Sequence, residues 1–195
     1  MTGDHPAGGA EAALHDAALD AAVAVVDEIP DGAWDDPTPC SDWTVRAIVG
    51  HLAWGNLVLT GALRGAPFHD PAGGRTVVLP HPPPSAYRAT VDEVRRALRA
   101  PGIPAAVAFP TGDLPLPAAL RVRVQDLVVH LWDLSIATGT PLRVDDELID
   151  AAYCTARERR AAGLLPAAQF PQPGDLTTAC SPLDRLLLTV GRHPR

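Results

Sequence analysis

Two histidines, His51 and His130, lie deep in strongly apolar runs that read as helical, AIVGHLAW and DLVVHLWD. Four residues before His130 stands Asp126, so the pair shares one face of a helix a single turn apart. An i,i+4 pair can clasp one ion from one turn, as the two histidines of the zincin helix do. If His51 on another helix faces that pair, two imidazoles and one carboxylate converge. Such a set suits zinc in an open arrangement, with nickel or iron as alternatives. The spacing also fits a plainer arrangement, in which each histidine is a hydrogen-bonded core residue and Asp126 pairs with Arg123 or Arg121.

The other candidates are weaker. His5 and His193 lie near the ends, His69 and His81 in a proline-rich stretch, and His15 on the first helix. Asp133 follows His130 by three and could orient it, although a helix-surface or capping role is the ordinary expectation. Cys40 precedes the second helix and reads as a packing residue. Trp34, Trp43, Trp54 and Trp132 read as bulk in a core poor in aromatics, with the option of lining a pocket. No Ser/His/Asp order, phosphate loop or dinucleotide fingerprint is present.

The elements that must position these residues are helices. Apolar residues recur at helical spacing over about 11–28 (Leu14, Ala18, Ala21, Val25), and Pro30 ends the run. Thr44 is an N-cap candidate for a helix over Val45–Leu63, which Gly65 and Pro67 terminate. Helices are also expected over 86–99, 118–138 and 145–162, with a short closing helix over Leu183–Val190. Residues 66–84 read as a long proline-rich loop with a possible extended piece at Thr76–Leu79. Ala105–Phe109 reads as an isolated extended segment. The first nine residues, MTGDHPAGG, read as disordered, and residues 10–195 as one domain. Strand alternation is lacking, so the fold class is all-α, a helical bundle.

Composition limits the partners. Sixteen arginines, no lysine and 23 acidic residues give a net charge of -7, which disfavours nucleic acid and anionic membranes. The basic runs Arg95/Arg96/Arg99 and Arg157/Arg159/Arg160 read as solvated helix faces. Three widely spaced cysteines, Cys40, Cys154 and Cys180, imply neither a disulfide framework nor a cysteine zinc site. With no signal peptide and no long apolar span, a cytoplasmic location is expected.

Three segments carry a resemblance: TPCSDWTVRAIVGHL (38–52), VQDLVVHLWDLSIATG (124–139) and SPLDRLLLTVGR (181–192). Together they resemble the actinobacterial metal-binding proteins related to the metal-binding domain of mycothiol-dependent maleylpyruvate isomerase, within the DinB-like superfamily. The resemblance covers about residues 11–192. It implies a DinB-like four-helix bundle with additional short C-terminal helices, and metal ligands at His51, Asp126 and His130. The lysine-free composition fits an actinobacterial source, where mycothiol is the main small thiol. The isomerase has glutamate where this chain has Asp126, and carries a further C-terminal domain. Expectation therefore moves from maleylpyruvate itself toward another small molecule. The leading reading is a metal-dependent isomerase or thiol transferase using mycothiol. A metal–water hydrolase or Lewis-acid enzyme, and a non-catalytic metal- or ligand-binding protein, are the alternatives. A homodimer through exposed helix faces is a further possibility.

Overall fold

Alanine- and leucine-rich stretches free of proline become helices, and prolines and glycines divide them. A computed structural model describes residues 9–41, 43–70, 73–110, 112–165, 175 and 181–194. The disorder expected of residues 1–8, Cys180, and most of the proline-rich tail before the last helix lie outside that set. Gly9, the last residue of the expected disordered stretch, is already helical.

The helices are α1 (Gly9–Asp27), α2 (Val45–Leu63), α3 (Pro83–Leu98), α4 (Leu116–Thr138), α5 (Asp146–Ala161) and α6 (Pro182–Thr189). Helix α1 packs on α3 and α4, and α2 packs on the same two, which closes a four-helix bundle. Helix α5 then lies on α4, and α6 on α5. Leu19, Ile48, Leu52, Tyr87, Leu127 and Leu131 fill the interior. Among the described residues, no helix is long and apolar enough to cross a membrane.

Local chemistry sets the boundaries. The Thr44 hydroxyl accepts from the Ala47 amide and caps α2, and Asp145 caps α5 through the Leu148 amide. Gly139 closes α4 in the left-handed conformation at φ 72°. Helix α3 starts at Pro83, three residues before the expected start at 86. Proline is tolerated there because the first helical amides have no intrahelical partner to lose.

Two expectations need correction. The extended piece near Ala105 is not isolated: β1 (Ala106–Val107) pairs antiparallel with β2 (Leu114–Pro115). The basic runs are not simply solvated faces either. Arg95 on α3 bonds Asp16 and Asp20 on α1, and Arg160 on α5 donates to the Thr189 carbonyl on α6. These cations tie helices together.

Candidate metal centre

The three residues singled out by spacing meet. Helix α2 brings His51 and helix α4 brings Asp126 and His130, so that one donor atom from each lies within 4.8 Å of the others. Asp126 Oδ1 stands 3.3 Å from His51 Nε2 and 3.6 Å from His130 Nε2. The two imidazoles are near-perpendicular, at 73°, with centroids 5.1 Å apart. Both histidines are buried, whereas the Asp126 side chain keeps 24% of its surface exposed.

The outer nitrogen of each ring is already committed. His51 Nδ1 lies 2.6 Å from the Arg75 carbonyl, which can only accept, so Nδ1 carries the proton. His130 Nδ1 likewise lies 3.0 Å from Asp133 Oδ2. In the neutral rings both Nε2 lone pairs then face a carboxylate oxygen. Two imidazole nitrogens and a carboxylate oxygen gathered at one point can share a cation, a ring proton or a metal ion. The donor set therefore fits a divalent metal.

Backbone features make the first of these bonds possible. The segment after Gly74 straps across α2, with Thr76 Oγ1 donating to the Ala47 carbonyl and the Val77 amide to that of Gly50. A Cβ at Gly50 would meet the Val77 oxygen at 2.3 Å, so only glycine admits the strap. Arg75 adopts a positive φ of 62° in that strap while its carbonyl accepts from His51.

Asp133 is not a surface or capping residue. It is fully buried, and Arg192 Nε and Nη2 grip its two oxygens at 2.9 and 3.0 Å. Burial opposes ionisation of Asp133, but the His130 hydrogen bond and the Arg192 guanidinium prevail and hold its pKa below the ordinary value. Asp126 behaves similarly. Burial raises its pKa, and His51, Arg123 and His130 more than offset that, leaving it well below the usual carboxylate range. Arg123 is the plainer partner that spacing had offered, and both arrangements coexist: Nη1 bonds Asp126 Oδ2 while Oδ1 faces the rings. The guanidinium crosses α2 at Gly55, where a Cβ would lie 2.1 Å from Nη1.

Aromatic walls complete the site. Trp43 lies 4.6 Å from the His51 ring, tilted to it, and stacks at 5.6 Å on His130, while Trp54 stacks at 5.5 Å on His51. Trp54 Nε1 donates to Asp70. Two of the four tryptophans thus line the centre, whereas Trp34 is core bulk. Sequence reasoning missed the roles of Trp43, Arg75 and Arg192. Trp43 and Arg192 both lay within the motifs that carried the resemblance, but only geometry gives them tasks.

A second cluster among the described residues joins Cys40 with His130 and Asp133. It suits a metal less well. Burial pushes the Cys40 thiol pKa up, against the pull of Arg192, and the Asp133 oxygens are already held. A cavity of about 520 Å³ opens beyond Arg192, between Pro37, Trp132 and Ile136, but none of the three converging residues lines it.

Comparison with known proteins agrees with this architecture. Residues 15–135 match the family model described as the mycothiol maleylpyruvate isomerase N-terminal domain. Two uncharacterized proteins from two strains of Mycobacterium tuberculosis are each 33% identical over 187 residues, covering 93% of this chain and 97% of the relative. The crystal structure of the mycothiol-dependent maleylpyruvate isomerase superposes with a TM-score of 0.57 at 16% identity, over 75% of this chain and 66% of that one. That similarity establishes a shared fold. With a DinB-like bundle and a family model matching well over half its length, this chain belongs to the family of the mycothiol maleylpyruvate isomerase N-terminal domain.

Proposed function

We propose that His51, Asp126 and His130 hold one divalent ion, zinc first and nickel or iron as alternatives. The protein would then be a metal-dependent enzyme acting on a small molecule, as an isomerase or S-transferase that uses a low-molecular-weight thiol, mycothiol by analogy with the family. The supporting observation is the commitment of both Nδ1 atoms, which leaves two Nε2 lone pairs directed at Asp126 Oδ1.

When bound, such an ion supplies Lewis acidity and lowers the pKa of a thiol or water that joins it. Three protein donors are fewer than the four that zinc takes, so the residues leave room for an outside ligand. The chain's own groups prepare the rest. Arg123 occupies Asp126 Oδ2 and leaves Oδ1 to face the rings. Arg75 and Asp133 fix the imidazole tautomers, and Trp43 and Trp54 keep bulk water from the flanks of His51.

The test is turnover of a panel of small electrophiles by the zinc-loaded protein, with and without mycothiol. Isomerised or S-conjugated product is expected only with the thiol present. Hydrolysis at the same rate without it would replace this reading with water chemistry, and no turnover in either arm would leave a binding protein.

The buried support of His130 can be tested separately. Asp133→Asn is expected to weaken zinc binding by about 10- to 100-fold, read by competition with a chromophoric chelator. Unchanged affinity would remove Asp133 from the site.

A further inference from the structure

A guanidinium beside a carboxylate ordinarily forks it, with two parallel N–H···O bonds that take both oxygens. Arg123 does not do this to Asp126. Its Nη1 donates to Oδ2, while Oδ1 faces His51 and His130. Nη2 is turned toward α2 instead, to the Leu52 carbonyl at 3.2 Å and Asn56 Oδ1 at 3.3 Å. Leu52, Gly55 and Asn56 share one face of that helix. The guanidinium lies across this face where Gly55 carries no side chain.

Asn56 has no freedom to turn over. It is fully buried, and its amide nitrogen donates to Thr90 Oγ1 on α3 at 3.1 Å. The Thr90 hydroxyl gives its own proton to the Tyr87 carbonyl at 2.7 Å, so toward Asn56 it only accepts. The Tyr87 hydroxyl lies beside the same amide. Arg123 only donates, so the amide oxygen has to face it. Each link has a single direction, from Arg123 to Asn56 to Thr90 to the Tyr87 carbonyl. The chain joins α4, α2 and α3, and it begins one bond away from Asp126.

We propose that Asn56 is a positioning residue of the candidate centre, which holds the Arg123 guanidinium off the second oxygen of Asp126. With no acceptor at residue 56, Nη2 has only the Leu52 carbonyl to set against a carboxylate oxygen. Hydrogen bonds to an ionised acceptor are roughly twice as strong as neutral ones. The guanidinium then closes its fork on Asp126, and Oδ1 is withdrawn from the two imidazoles. The effect on an ion rests on the metal-binding reading above, whereas the placement of Arg123 does not.

Two measurements separate those parts. A crystal structure of metal-free Asn56→Leu is expected to show Arg123 bonded to both Asp126 oxygens. Chelator competition is expected to give that variant about 10- to 100-fold weaker zinc binding than wild type. Thr90→Val keeps the shape and removes the acceptor on α3, and is expected to weaken zinc binding about 3- to 10-fold, the worth of one hydrogen bond. Thr90→Ser is expected to restore it. A role in packing alone would reverse that order, with Val harmless and Ser weakened. The Thr90 pair also serves where Asn56→Leu does not fold. Arg123 still on one oxygen in the crystal, or unchanged zinc affinity in Asn56→Leu and Thr90→Val, would overturn the proposal. Wild type that binds no zinc would end the metal reading instead, and the crystal structure alone would then decide whether Asn56 places Arg123.

Discussion

Protein purified without added chelator is expected to carry about one equivalent of zinc, nickel or iron per chain, and His51→Ala and His130→Ala close to none. The expectation follows from donor number. Each substitution leaves one imidazole and one carboxylate, and two protein donors hold a first-row ion too weakly to survive purification. The two variants attack the site from different helices, α2 and α4, so a shared loss reports convergence rather than damage to one element. Elemental analysis beside circular dichroism separates metal loss from unfolding. Acid should empty the wild type as well, because protonation of the imidazoles competes with the ion for Nε2. Equal metal in all three proteins would remove the site, and with it the proposed function.

A second large effect is expected from His15. Burial, aided by the Arg123 charge, lowers its pKa from 6.5 to about 3. The unfolded chain therefore binds a proton at His15 between those values while the native state does not. Stability from this group is fully present above about 6.5 and is lost as pH falls toward 3. Between pH 7 and 4.5 the loss amounts to about 2–3 kcal/mol for a group fully sealed from water. Urea denaturation of the metal-free wild type and of His15→Leu should show that difference in slope against pH. Working without metal avoids confusing it with release of an ion. Parallel pH dependences would mean that His15 titrates normally and is open to solvent.

The helices were largely legible because their signals are local. Thr44 capping Val45–Leu63, Asp145 ahead of α5 and Gly139 behind α4 all act within a turn of themselves. The spacing of Asp126 and His130 was equally visible, since a helix places residues four apart on one face. What spacing could not supply was the meeting of His51 on α2 with Asp126 on α4, 75 residues apart along the chain. Motif resemblance suggested that meeting, and the fold brings it about. Arg192 and Arg75 were invisible as partners for a related reason. A clamp on Asp133 from 59 residues away, and a main-chain carbonyl presented by a strap, leave no periodicity in the sequence. Asp133 itself was misjudged because an acidic residue near a helix end usually faces water. Here the part-buried Arg192 guanidinium makes the opposite placement stable.

The packing of Trp43 and Trp54 against His51, the first tilted and the second stacked, has an optical consequence. Indole emission responds to what its neighbouring ring is bonded to, and an open-shell ion on an adjacent imidazole quenches it where zinc does not. The protein thus holds its own fluorophores against the ring proposed as a donor. An ion bound there as proposed would have its occupancy and identity readable in dilute solution, without a label.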